Sequence, residues 1–226
     1  MGELIGIENA RALVADQALW PRVRDFLWDF APQIHASWLE DLDAPLASAV
    51  SRLMSSPRIK RAILSSLGVE PCFHSFPKDD WSRLLLLDGA MLESIAKWLG
   101  ALVCADRLRG VTSGVEVRAL KAALPGIYPE VFGYTAYFKG LKIEDLGLKV
   151  EEGSFGEIGV LGGRILLSLL ESLPAPLVAR LKLKLPKVYS GDSSTGVNLQ
   201  SPIFNLQFLA RLLKLKFPEA YSLCCS

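Results

Sequence analysis

The side chains best suited to chemistry are few in this sequence and stand apart from one another. The chain has two histidines, His35 within a helical pattern and His74 in a loop that also contains Cys72. A structural zinc site takes four ligands in paired spacings, and a catalytic histidine needs a partner side chain. A lone Cys-x-His supplies neither, so the sequence predicts no metal site and no cofactor.

A glycine-rich run and three pairs of adjacent carboxylates also suggest chemistry, but neither matches the pattern that a phosphate-binding loop or an acid–base pair requires. The glycine-rich run at residues 153–163 is not followed by Gly-Lys-Ser/Thr and lacks the glycine spacing of a dinucleotide-binding turn. We interpret it as a flexible loop that leads into the next helix. Adjacent carboxylates at residues 79–80, 144–145 and 151–152 are typical of helix starts and solvated loops, whereas acid–base catalysis would need one member buried. These patterns favour a protein that is not an enzyme.

The uneven distribution of charge along the chain suggests a function, because basic residues are concentrated towards the C-terminus. Residues 164–226 hold eight basic and three acidic side chains, whereas residues 1–56 hold four basic and eight acidic ones. Such separated charges are suited to different charged partners. We therefore predict a protein interface formed by Arg180, Lys182, Lys184, Lys187, Arg211 and Lys214. Two alternatives stay open: the partner is an anionic membrane or a nucleic acid, or each cation simply solvates a helix face.

The spacing of apolar residues predicts an all-α fold. Between Trp81 and Leu124 apolar residues recur at steps of three and four, and further helical patterns begin near Pro21, Pro57, Ile158, Pro176 and Pro202. An alternating stretch around residues 143–157 favours a short strand or hairpin as an addition. We predict a single compact helical domain over residues 1–226, with a flexible loop at about residues 190–201.

Large aromatic residues are interpreted mainly as core. Trp20, Trp28 and Trp38 lie close together in sequence and are expected to anchor packing, the alternative being an exposed aromatic patch for a partner. Trp98 lies on the apolar face of the central helical pattern and is expected to be buried. Cys104, among apolar helix residues, is expected to be an inert buried thiol.

The expected location is the cytosol. A membrane span needs about 18 or more apolar residues with few charges. The best stretch, residues 84–103, is interrupted by Asp88, Glu93 and Lys97. The first residues also lack the cationic start and apolar segment of a signal peptide.

Three segments together resemble a known family. The run RLLLLDGAMLESIAKWLGALVCADRLRGVTSGVEVRALKAALPG, residues 83–126, is similar to the central helical signature of the SctK family, which includes YscK and PscK. The likeness continues in LLESLPAPLVARLKLKLP, residues 169–186, and in FLARLLKLKFPEAY, residues 208–221. This signature contains no catalytic residue type at a fixed position.

The resemblance implies a non-enzymatic adaptor in the cytoplasmic sorting platform of a bacterial type III secretion system. Such a protein would link the cytoplasmic domain of the inner-membrane ring protein SctD to the SctQ pods, which connect through SctL to the ATPase. It would meet the inner membrane only through its partners, and no nucleic acid is expected. The alternative is a peripheral helical protein that binds anionic membrane or nucleic acid through its basic C-terminal helices.

Overall fold

The described residues are helical throughout, as the all-α prediction requires. The computed structural model describes residues 19–40, 56–69, 80–138, 157–191 and 202–224, and these ranges contain helices and turns but no strand. The fold class predicted from apolar spacing is therefore confirmed. The alternating stretch before Glu157 and most of the loop at residues 190–201 lie outside the described residues.

The helices are numbered here in chain order. The α-helices are α1 (Leu19–Trp28), α2 (Ala36–Leu39), α3 (Pro57–Ser66), α4 (Gly89–Val103), α5 (Ala105–Arg109), α6 (Gly114–Ala123), α7 (Val131–Tyr134), α8 (Glu157–Leu169), α9 (Ala175–Lys184), α10 (Pro202–Lys216) and α11 (Pro218–Cys224). Short 3₁₀ helices span Ala31–Gln33, Asp80–Leu86, Thr135–Phe138 and Lys187–Ser190.

The chain divides into two compact units, each assembled from separate segments. The first unit comprises Met1–Gly89, Leu170–Lys187 and Glu219–Ser226, and the second comprises Ala90–Leu169 and Val188–Pro218. Because the chain passes from one unit to the other several times, neither unit is a simple terminal extension. One helical domain over residues 1–226 stays a prediction.

In the first unit, the core is built where α1, α9 and the 3₁₀ helix Asp80–Leu86 bury their apolar faces. Phe26 and Phe30 are fully buried and pack edge to face, with ring centroids 5.6 Å apart. Leu177 and Leu181 on α9 are likewise fully buried. Residues just after α1 are held to the end of α9, since the amide of His35 donates to the carbonyl of Leu183 at 2.8 Å.

In the second unit, glycines let α4 and α8 approach until their backbones touch. A Cβ added at Gly100 would lie 1.9 Å from the carbonyl oxygen of Ile158, and one at Gly162 would lie 1.7 Å from that of Ala96. A Cβ at Gly163 would lie 2.2 Å from the ring of Tyr189. The interpretation of this glycine run as a flexible loop is therefore wrong for residues 162 and 163, which are buried helical contacts.

We expect Gly162→Ala to destabilise the protein. The new methyl group has no room against the backbone of α4, and overpacking of a filled core costs about 1–3 kcal/mol. The matched control is Gly133→Ala in α7, where nothing lies within 4 Å of the added Cβ and alanine is the better helix former. Urea denaturation of both variants checks this, and equal stability of the two would contradict the close contact.

Candidate protein-interaction surfaces

Arg180, one of the six predicted interface residues, is buried in the first unit. It lies on α9 and is 1% exposed. Its Nη1 donates to the carbonyl oxygens of Phe26 at 2.5 Å and Leu27 at 2.8 Å. The guanidinium also lies 5.4 Å from the ring centre of Phe30. Because the last carbonyls of an α-helix have no donor within the helix, Arg180 caps the C-terminal end of α1.

Lys184, one turn further along α9, likewise donates to backbone carbonyls, here at the end of the 3₁₀ helix Asp80–Leu86. It is also 1% exposed, and its Nζ donates to the carbonyls of Leu85 at 2.6 Å and Leu87 at 2.8 Å. These carbonyls close the 3₁₀ helix that spans Asp80–Leu86. Burial lowers the pKa of Lys184 to about 7, against the opposing effect of the Asp88 carboxylate. A neutral amine still has two hydrogens for the two carbonyls.

The expectation that Arg180 and Lys184 lie on a basic surface is therefore wrong. It assumed that α9 buries only the face carrying Leu177, Leu181 and Leu185, whereas Val178 and Leu183 are buried as well. A helix covered on several sides leaves little surface for solvated cations, so these two are satisfied by backbone carbonyls.

The low pKa of Lys184 predicts a pH-dependent stability. The folded state releases the proton near pH 7 and the unfolded state near its usual value of about 10.4, so between these limits the unfolded state binds more protons. The free energy of unfolding should then rise with pH in this window, and the contribution is lost as the pH falls to about 7.

Denaturation of the wild type and Lys184→Met at pH 6.5, 7.5 and 9 measures this contribution. The stability of the wild type relative to the variant should increase from the first pH to the last. Cys104, whose pKa burial raises to about 11, and Tyr189, whose pKa burial raises to about 12, are present in both proteins and cancel in the comparison. A difference that does not change with pH would contradict the buried neutral amine.

Lys182 and Lys187 are exposed in the first unit, unlike Arg180 and Lys184. The backbone amide of Lys187 donates to Oγ of Ser37 at 2.9 Å, which fixes the start of its 3₁₀ helix. Both residues therefore lie at the surface of the first unit. Their role at an interface stays a prediction.

Arg211 and Lys214 are exposed on α10 in the second unit, and two exposed apolar residues accompany them. Leu215 is 42% exposed and Tyr137 is 58% exposed. Nη1 of Arg211 lies 3.4 Å from the carbonyl oxygen of Tyr137, which places the 3₁₀ helix Thr135–Phe138 beside α10. We call Tyr137, Arg211, Lys214 and Leu215 the Tyr137 patch. Sequence analysis named its cations and missed its apolar members.

Lys216 has a different environment from its neighbours on α10. Its ammonium lies 4.6 Å from the ring centre of Trp98 and 4.4 Å from that of Tyr134, and it forms an ion pair with Glu130. The two rings themselves meet edge to face, with centroids 5.7 Å apart. Cation–π contact and ion pairing together tie the end of α10 to α4 and α7. No sequence spacing links these residues, because they come from distant segments.

A groove of about 560 Å³ lies beside this lysine, in the second unit. The residues that line it include Ser94, Trp98 and Ile127, and also the acidic residues Glu93 and Glu130. Each carboxylate is paired with a lysine, Glu93 with Lys97 at 2.7 Å and Glu130 with Lys216. With both carboxylates in ion pairs, the groove offers charged and polar groups for recognition.

The two tryptophans of α1 differ in exposure, and neither is fully buried, since Trp20 is half-buried. Trp28 is 58% exposed, although its ring meets Trp20 edge to face with centroids 5.7 Å apart. Helix α1 buries Val23, Phe26 and other residues on the opposite side. The expectation that Trp28 anchors the core is therefore wrong, and the alternative of an exposed aromatic patch fits its position. Trp98, by contrast, is buried as predicted.

The histidine and cysteine side chains that could take part in chemistry serve structural roles where the structure describes them. Nδ1 of His35 accepts a hydrogen bond from the amide of Ser37 at 3.2 Å and so caps α2. Cys104 is a buried free thiol, as expected. His74, Cys72 and the carboxylates at residues 144–145 and 151–152 lie outside the described ranges. Within those ranges, no three His, Cys, Asp or Glu side chains come together in a way that could hold a metal ion.

Comparison with known proteins gives one family. Residues 24–126 match the model of the family described as YOP proteins translocation protein K (YscK). This region contains residues 83–126, the first of the three segments that carry the resemblance, and extends towards α1; residues 169–186 and 208–221 lie outside it. Searches of curated proteins and of solved structures gave no significant match. In the part of the chain that is described, no helix has the length and apolarity needed to cross a membrane.

Proposed function

We propose, because residues 24–126 match the model of the YscK family, that the chain belongs to this family and is a non-enzymatic adaptor of the type III secretion apparatus. In this proposal it links the cytoplasmic domain of the inner-membrane ring protein SctD to the SctQ pods, and through SctL indirectly to the ATPase. It acts at the cytoplasmic face of the inner membrane, which it meets only through these partners. The family match is the observation that carries the proposal.

The exposed surfaces support a binding role. In each unit, cations from the predicted interface remain exposed, Lys182 and Lys187 in the first and Arg211 and Lys214 in the second. Exposed charges contribute mainly to partner choice and association rate, which suits an adaptor that must select its neighbours. Arg180 and Lys184 contribute to the proposal only by holding the first unit together.

Binding to each partner separately tests the adaptor role. Purified chain is titrated onto immobilised SctD cytoplasmic domain and, in a second experiment, onto SctQ from the same source. We expect the wild type to bind both, and we expect Lys182→Glu/Lys187→Glu or Arg211→Glu/Lys214→Glu to weaken at least one of the contacts. Wild-type protein that ignores both partners would overturn the proposal.

The matched control is Arg58→Glu/Arg61→Glu on α3. It makes the same change in net charge at exposed positions that the predicted interface does not include. If this variant weakens binding as much as the other two, the effect comes from net charge and not from a defined surface. Anionic liposomes and DNA at low salt serve as further ligands; retention on them, lost steeply as salt rises, would favour the peripheral-binding alternative.

A further inference from the structure

The exposed face of α10 forms a straight strip of side chains. Gln207, Arg211, Lys214 and Leu215 are all exposed and lie at positions i, i+4, i+7 and i+8, which face one side of an α-helix. The opposite side is buried through Phe208, Leu209, Leu212 and Leu213. The strip covers about two turns, a length of about 12 Å. It is therefore a defined ridge and not a scatter of surface residues.

A tyrosine and an arginine, two residue types that often dominate the binding energy of protein interfaces, lie at this ridge. Tyrosine and arginine are enriched at interface hot spots, and the hydrogen bond from Arg211 places Tyr137 next to the strip. Tyr137 and Leu215 are exposed large apolar side chains, and both belong to the second unit. An aromatic and an aliphatic anchor therefore flank a charged centre.

The charge of the patch indicates the chemistry of its partner. Among the described residues, neither Arg211 nor Lys214 forms an ion pair, and the contact that Arg211 makes is to a backbone carbonyl. Two exposed cations on one face of α10 create a positive potential that attracts acidic side chains. An acidic partner would thus supply ion pairs that the described residues do not form with Arg211 and Lys214.

We propose that the Tyr137 patch docks an amphipathic helix of a partner protein, whose apolar stripe covers Tyr137 and Leu215 and whose Glu or Asp side chains pair with Arg211 and Lys214. A helix suits a straight ridge with this spacing, since helices pack ridge against groove. This inference rests on the proposed function, because it specifies how one component of the secretion apparatus is recognised. An anionic membrane fits less well, since stable attachment to a lipid surface takes a larger cluster of cations than Arg211 and Lys214.

Four variants and a control test this docking site. Leu215→Glu and Tyr137→Ala remove the apolar anchors, Arg211→Glu/Lys214→Glu reverses the charges, and Leu215→Met keeps an apolar side chain. The control is Val115→Glu on α6, which adds a carboxylate at another exposed apolar residue of the same unit. Circular dichroism melting first shows which variants are folded, and affinity for SctD and for SctQ is then measured by calorimetry.

We expect Leu215→Glu and the charge reversal each to weaken the affinity for one of the two partners at least tenfold, with Leu215→Met and Val115→Glu within threefold of the wild type. Tyr137→Ala should weaken the same affinity, while the affinity for the other partner stays unchanged. If both partners bind the variants as they bind the wild type, the docking site is wrong and the adaptor role stands. If the wild type binds neither partner, both proposals fail.

A second copy of the chain, or a lipid surface, could cover the Tyr137 patch instead, and the same variants distinguish both. Light scattering that shows a dimer of the wild type and a monomer of Leu215→Glu would mean that a second copy of the chain covers the patch. Retention of the wild type on anionic liposomes, lost in Arg211→Glu/Lys214→Glu, would mean that a lipid surface does. Either result would overturn the partner helix.

Discussion

Replacement of Arg180 with alanine is expected to lower the free energy of unfolding by about 3–5 kcal/mol, because two buried carbonyls lose a charged donor and a large side chain leaves a cavity. Those carbonyls belong to Phe26 and Leu27 at the end of α1. Chemical denaturation followed by circular dichroism measures the loss. Arg180→Glu should be worse, since it places a carboxylate against two carbonyl oxygens.

The neighbouring Lys182→Ala is the matched control. This residue lies on the same helix two positions further on, but it is exposed, and surface substitutions usually change stability by less than about 0.5 kcal/mol. A loss in Arg180→Ala no larger than that in Lys182→Ala would show that Arg180 is a surface residue after all. It would then return to the predicted interface.

Trp98→Ala is expected to destabilise the protein by about 3–5 kcal/mol, the range for truncation of a large buried aromatic residue. Trp98 is almost fully buried in the second unit, and its ring carries the ammonium of Lys216 on one face and the edge contact with Tyr134. The substitution therefore removes core area and also the cation–π contact that ties α10 to α4. Thermal melting and urea denaturation should both show the loss.

Trp28→Ala is the control for the destabilisation expected of Trp98→Ala. Trp28 is a tryptophan of the same size on the surface of the first unit, where its ring touches Trp20 and solvent. We expect a loss of less than about 1 kcal/mol, because most of the ring is already hydrated in the folded state. If the two substitutions cost the same, the assignment of Trp98 to the core and Trp28 to the surface is wrong.

The helices could be predicted from sequence because their signals are local. Pro57 is the first residue of α3, Ser113 precedes α6, and the apolar spacing between Trp81 and Leu124 predicted the helical region that the structure divides into a 3₁₀ helix, α4, α5 and α6. Burial of Trp98 and Cys104 followed from the same spacing. Each of these signals lies within one or two turns of the residue that it concerns.

The positions of the basic residues could not be predicted, because they depend on contacts between distant segments. Arg180 and Lys182 are both cations on the same helix. The guanidinium of Arg180 donates to the carbonyls of residues 26 and 27, whereas Lys182 is exposed. Apolar spacing shows which side of a helix is buried only when one side is buried. On α9 several sides are covered, so the helical pattern assigned two core cations to the surface.

The exposed apolar residues were missed for the converse reason. Leu215 continues the stripe of Phe208 and Leu212 by spacing, but the buried face of α10 extends from these two residues towards Leu209 and Leu213 and leaves Leu215 exposed. Tyr137 lies in a short 3₁₀ helix with too few residues to show a period. Glycines 100 and 162 likewise gave no sequence signal of close packing, since the residue that each would strike lies on another helix.

The measurement that tests the central claim most directly is size-exclusion chromatography with light scattering on the chain alone, with the SctD cytoplasmic domain, and with both SctD and SctQ. An adaptor predicts one eluting complex that contains all three proteins, and it predicts that SctD and SctQ elute separately when the chain is left out. Separate elution of all three proteins, with each of them folded, would contradict the adaptor role, whereas the helical fold and the match of residues 24–126 to the YscK family model would stand.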